Sequence, residues 1–185
     1  MRYLLATALL ITLYGCSSYP VKDEIQTVAQ PCSGSLDLPA DLANEFEPVE
    51  DEQLLNEALG APKQGKLCQG RVYKSKEAAR ITLFRAWNST NPNSKFGKWW
   101  GFQRPAGKIA AYRSEYEICY QWSPLDKLVR CTLKPGTKVV VGTGQSAECS
   151  EYLTYPVSDR QQIYLDNAST SVTHCREFDG EFGWK

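Results

Sequence analysis

A single histidine, His174, stands among the 185 residues, so chemistry that needs an imidazole has one place to happen. A Ser-His-Asp arrangement could use only that residue, and no G-x-S-x-G turn presents a nucleophile. The nearest string, Gly142-Thr143-Gly144-Gln145-Ser146, lacks the spacing of a phosphate-binding G-x-G-x-x-G and reads as a turn or bulge. Without close cysteine pairs or further histidines, no metal site is expected. Glu115 and Glu117 lie two apart on an expected helix, point to different faces and read as solvated. Arg85 carries paired donors suited to phosphate or carboxylate oxygens, although a lone strand arginine is more often ion-paired or exposed. Trp99, Trp100 and Phe102 supply aromatic surface. Adjacent strand residues face opposite sides, so at least one of the two tryptophans belongs to the core.

The seven cysteines divide into one and six. Residues 1–15 carry Arg2, an apolar run from Tyr3 to Tyr14 and then Gly15, a stretch shorter than the roughly 20 apolar residues of a spanning helix. It reads as a signal peptide. Leu13-Tyr14-Gly15-Cys16 resembles a lipobox, which implies a lipidated Cys16; an ordinary cut near Ser17 or Ser18, leaving no lipid, is the alternative. Ser17 after the cysteine resembles an outer-membrane sorting signal. Cys32, Cys68, Cys119, Cys131, Cys149 and Cys175 then form an even set, read as three disulfides in an oxidising compartment. The best single pair is Cys119 with Cys131, across an apparent helix end, a Trp-Ser-Pro turn and a returning strand.

Charge is unevenly placed although the total is zero. Residues 17–62 hold ten acidic side chains against one basic, 63–138 hold sixteen basic against four acidic, and 139–185 hold three basic against seven acidic. A basic middle can recruit an anionic ligand or surface. It can equally be covered by the acidic segment of its own chain. Nucleic acid is not an expected partner of an envelope protein.

The elements that must position these residues follow from their patterns. Asp41 to Leu59 reads as helical in pieces around Pro48, with Leu54, Leu55, Ala58 and Leu59 on one face and Gly60 as the stop. Arg80–Trp87 reads as a strand, Asn88–Asn93 as a loop, and Trp99–Gln103 as a short aromatic strand before Pro105. Lys108–Cys119 has helical spacing at Ile109, Tyr112, Tyr116 and Cys119. Strands are expected at Leu128–Leu133 and Lys138–Val141 about the Pro135-Gly136 turn, then at Gln161–Leu165 and Ser171–Arg176. The fold class is α+β, a mostly antiparallel twisted sheet with a few helices, stabilised by disulfides.

Between Ile81 and Asn167 the strings ITLFRAWNS, KFGKWWGFQRP, AYRSEYEICYQWSPLD, CTLKPGTKVVVGTGQSAEC and DRQQIYLDNA follow one another. Their order and spacing resemble the ADP-ribosyltransferase-like domains of bacterial toxins and NAD-glycohydrolase toxins. The resemblance implies an ADP-ribosyltransferase-like fold with NAD as substrate. In it Arg85 would hold the phosphates, Trp99, Trp100 and Phe102 would form the stacking floor and wall, and Gln161 or Gln162 would take the late catalytic position. Only one of the two glutamines can face a pocket. The family's transferases carry Glu there; a neutral amide supplies hydrogen bonds but not charge, which leaves a glycohydrolase or a binding fold.

The chain is therefore expected to comprise a lipoprotein signal peptide over 1–15, a lipidated tether over 16–31 and one exported domain over 32–185. That domain would have an acidic helical segment at 36–60 and a sheet core at 66–178. The expected role is non-catalytic binding at the outer membrane, on the periplasmic side or the surface, to an envelope protein or anionic ligand. The alternative is an NAD-processing enzyme using Arg85 and Gln162.

Overall fold

The computed structural model describes residues 31–179. The leader and Cys16 lie outside the described residues. Among these, no helix is long and apolar enough to cross a membrane.

Two antiparallel sheets hold the core between them. The larger contains β1 (Phe46–Pro48), β2 (Leu67–Ser75), β6 (Lys138–Gly144), β9 (Gln161–Tyr164) and β4 (Trp99–Trp100), in the order β1-β2-β6-β9-β4. The smaller has the order β10-β5-β3, from Val172–Asp179, Lys127–Leu133 and Thr82–Trp87. A third pair, β7 (Ala147–Ser150) and β8 (Leu153–Tyr155), forms a separate hairpin. The α+β reading with a mostly antiparallel sheet holds, with three α-helices among the described residues: α1 (Glu52–Ala58), α2 (Ile109–Glu115) and α3 (Ala168–Ser171).

Strand β6 shows why the layers form. Only Lys138 of its seven residues is exposed, as suits the central strand of a sheet covered on both faces. Side chains alternate across it. Val139 and Val141 enter the inter-sheet core with Ile81, Leu83, Val129 and Ile163. Val140 points the other way, joining Ala58, Leu67, Val72 and Tyr164 beneath α1. Each such aliphatic side chain contributes about 1.5 to 3 kcal/mol on full burial. Helix α1 starts where Asp51 accepts the Leu54 N–H at 3.0 Å.

The acidic segment lies against basic groups of its own chain. Asp51 pairs with Lys138 at 2.8 Å, Glu47 reaches Lys74 at 3.8 Å, and the Glu45 carboxylate accepts the Arg80 backbone N–H. It is less helical than expected. Phe46–Pro48 is an edge strand because Phe46 is buried against Tyr73 and Phe102, and Pro48, lacking an N–H, is tolerated at an edge.

One further expectation, the pairing of Cys119 with Cys131, is corrected, and the path of the chain between the sheets bears on it. Strands β5 and β6 flank the Pro135-Gly136 turn but do not pair, because the turn carries the chain from one sheet to the other. Gly136 has φ 72°, and Ser75 holds the crossing: its hydroxyl donates to Lys134 O at 2.8 Å and accepts from the Thr137 N–H at 3.0 Å. The cysteines join Cys32 to Cys68, Cys119 to Cys149 and Cys131 to Cys175, so Cys119 is not bonded to Cys131. Cys131 is 1% exposed on β5 and lies opposite the irregularity between Thr173 and Arg176 on β10, where Cys175 meets it. The chain after α2 turns instead toward the β7–β8 hairpin, which brings Cys119 to Cys149.

Candidate functional site

The two sheets touch just past the end of β4, through a bridge in which Phe84 and Gly101 exchange backbone hydrogen bonds at 2.9 and 2.8 Å. Beside it lies a cavity of about 170 Å³ bordered by Arg85, Trp100, Tyr112, Tyr116, Glu117 and Gln162, with Trp99, Lys66 and Trp122 at its margins. The structure thus brings Arg85, Trp99, Trp100 and Gln162 to one place. It sends the other two candidates elsewhere. Phe102 packs on the Phe46 ring, because the short strand β4 ends at Trp100 and the chain turns into the main core. Gln161, one residue out of phase with Gln162, donates to the carbonyls of Ser35 and Asp37 at 3.0 and 2.6 Å.

Arg85 lies on β3, the edge strand of the smaller sheet, and is pinned by backbone. Its Nε donates to Ser94 O at 2.8 Å and its Nη1 to Trp99 O at 2.6 Å, tying the 3₁₀ turn Pro92–Phe96 to β4. A Cβ at Gly97 would overlap the guanidinium, so the turn approaches it as closely as glycine permits. Burial lowers its pKa to about 10, which still leaves it charged at neutral pH. No carboxylate pairs with it among the described residues.

The aromatic walls come mostly from α2. Tyr112 and Tyr116 are one helical turn apart, with ring centroids at 4.6 Å. Burial raises the pKa of both phenols, so they remain neutral hydroxyls. Trp100 is 3% exposed and donates its indole N–H to Gly97 O at 2.8 Å. The Trp99 ring packs edge-on against Tyr164, away from this wall, so at the Arg85 end the clear contribution of Trp99 is its carbonyl. From the last turn of α2, Arg113 donates to the carbonyls of Ile118 and Cys119 at 3.3 Å and Ser123 at 2.5 Å, which fixes the segment that closes the cavity.

Glu117 overturns the solvated reading. It is 2% exposed, with φ 48°, and its side chain lies against the backbone of Gly144, where a Cβ would overlap Oε2. Gln162 Nε2 donates to Glu117 Oε2 at 2.8 Å, while Oε1 is buried with no hydrogen-bond partner. Burial raises the carboxyl pKa to about 8, against the opposing pull of Ser158 and Gln162. At neutral pH the group is therefore mostly the uncharged acid. Since Oε2 accepts from Gln162, the proton belongs on Oε1. Gly144 is the sequence signal for this contact: the end of the glycine string is the close of β6 rather than a turn, and it is small because a carboxyl occupies the space.

The resulting site has one half-buried cation without a counter-ion among the described residues, a neutral acid hydrogen-bonded to an amide, and several aromatic rings. Its volume exceeds the roughly 150 Å³ that accepts benzene and falls below the roughly 300 Å³ where drug-sized pockets begin. It can enclose one ring and present an oxygen of that ring's substituent to Arg85. Among the described residues no cluster of three or more His, Cys, Asp or Glu side chains could hold a metal ion. Comparison with protein-family models, with curated proteins and with solved structures gives no match to this chain, so the geometry carries the functional reading.

Proposed function

We propose that this chain is an exported, lipid-anchored protein that binds a small anionic ring compound in the cavity at Arg85 without turning it over. The observation that supports it is the charge balance of the cavity. Arg85 is charged and lacks a carboxylate partner, Lys66 at the margin donates to the Glu57 carbonyl rather than to a side-chain acid, and Glu117 keeps its proton near neutral pH. Desolvated cations favour an anion strongly in such surroundings. The six cysteines fit an oxidising compartment, as the signal-peptide reading of residues 1–15 requires.

The fold is read as ADP-ribosyltransferase-like, and the meeting of Arg85, Trp100 and Gln162 favours a second reading, an NAD-processing enzyme. Two features weigh against turnover. The Gln162 amide is engaged by Glu117 and by Tyr116 O at 3.4 Å. The cavity also admits one ring rather than a dinucleotide.

Calorimetry with benzoate, and nicotinamide release from NAD, separate the readings. The binding reading expects benzoate to bind, Arg85→Gln to abolish binding, and NAD to remain intact. NAD turnover that disappears in Gln162→Ala would establish the enzyme instead. A folded, oxidised protein that binds neither benzoate nor NAD overturns both.

A further inference from the structure

We propose that Tyr120, Trp122 and Tyr152 form a seat for the membrane interface, placing one end of the domain against the leaflet that holds its anchor. This rests on the reading of Cys16 as lipidated.

Exposure singles these residues out. Among the described residues Tyr152 is 88% exposed, Tyr120 59% and Trp122 51%, whereas the other exposed large hydrophobic side chains, Phe96 and Phe178, reach only 36%. The three belong to one lobe. Cys119 and Cys149 bond the segment after α2 to the β7–β8 hairpin, Gln121 Nε2 donates to Cys149 O at 2.8 Å, and Tyr152 sits at the hairpin turn. Trp122 lies over Gly65, whose N–H donates to Ser146 O.

The chain leading back to Cys16 arrives at the same end. Cys32 is bonded to Cys68, and Gln69 Nε2 donates to the carbonyls of Ser33 and Gly34 at 3.1 Å. From there residues 63–67 run beside residues 144–148 toward the hairpin, with Leu67 opposite Gly144 and Gln64 bridged to Ala147. Covalent geometry limits the chain between Cys16 and Pro31 to about 50 Å. Anchoring therefore holds this end within about 50 Å of the bilayer, where a weak contact is enough because it is intramolecular with the anchor.

Exposed tyrosine and tryptophan suit that boundary, with an apolar ring for the acyl side and a polar tip for the headgroups. Charge around the lobe is balanced. Lys63 pairs with Glu148 at 2.9 Å, Lys66 is turned to the Glu57 carbonyl, and Glu151 stands beside Tyr152. The contact expected is therefore with zwitterionic headgroups and insensitive to salt. Because Trp122 also borders the cavity, the seat turns that margin toward the membrane surface.

The test uses the full lipidated chain, with Trp184→Phe, in phosphatidylcholine vesicles whose acyl chains carry bromine near the headgroup. Flotation reports anchoring and bromine quenching reports contact. The seat predicts a quenched component that is lost in Trp122→Phe, reduced in Tyr152→Ser and unchanged by salt. Flotation with identical quenching before and after Trp122→Phe overturns the seat and leaves the anchor standing. Absence of flotation overturns both. An unquenched Trp122 that is nonetheless shielded from aqueous acrylamide assigns the patch to contact with a second copy of this chain and also overturns the seat.

Discussion

Replacing Glu117 by glutamine tests the cavity's charge balance through stability. The carboxyl pKa rises from 4.5 in the free side chain to about 8 in the fold, because the group is buried. Between those values the unfolded chain releases a proton that the native state keeps, so native stability falls as pH rises through the window. The slope approaches about 1.4 kcal/mol per pH unit. The accumulated penalty is about 3 kcal/mol by pH 7 and levels off near 5 kcal/mol above pH 8. Glutamine retains the carbonyl that accepts from Gln162 and cannot ionise. Glu117→Gln is therefore expected to match the wild type near pH 4.5 and to melt roughly 10 °C higher at pH 7, at about 2 to 4 °C per kcal/mol for a domain of this size. The assay is thermal unfolding of both oxidised proteins from pH 4.5 to 9. Taking the difference cancels titrations common to both. A melting difference that stays constant with pH would refute a buried neutral Glu117.

Other perturbations probe the neighbouring contacts. Gly144→Ala places a methyl group on the Glu117 carboxyl and should cost about 1 to 3 kcal/mol in urea unfolding, with most of that loss relieved in the Gly144→Ala/Glu117→Ala double variant. Arg85→Gln leaves the carbonyls of Ser94 and Trp99 without their charged donor, and a destabilisation of about 2 to 3 kcal/mol is expected in the same assay. Peptide mapping without reduction should recover Cys32–Cys68, Cys119–Cys149 and Cys131–Cys175; a Cys119–Cys131 peptide would contradict the path described after α2. Converting Cys119 and Cys149 to serine should lower stability by about 3.6 kcal/mol, since the bond closes a 30-residue separation.

Legibility followed the strength of the local signal. Strands β3, β5, β6 and β9 were readable from apolar and β-branched runs, and α2 from its aromatic spacing. Strand β2 gave no such signal: LCQGRVYKS mixes Gly, Gln, Arg and Lys with its apolar residues, and it forms because β1 and β6 pair with it on either side. Phe46–Pro48 looked helical for the opposite reason, its strand state being imposed by the same neighbour.

The sequence by itself determined the supply of chemistry. One histidine confined imidazole chemistry to one position, six cysteines of even count implied disulfides, and the period-2 alternation of Gln161 and Gln162 meant that the two could not face the same cavity. Tertiary structure decided which groups meet. Arg85 comes from one sheet and Gln162 from the other, 77 positions later in the chain. Cysteine pairing depended on the route taken after α2, which no local pattern encodes. Glu117 changed most. As a residue type it is a solvated acid, and it became a neutral one because folding removed water from around it and brought no cation to replace that water.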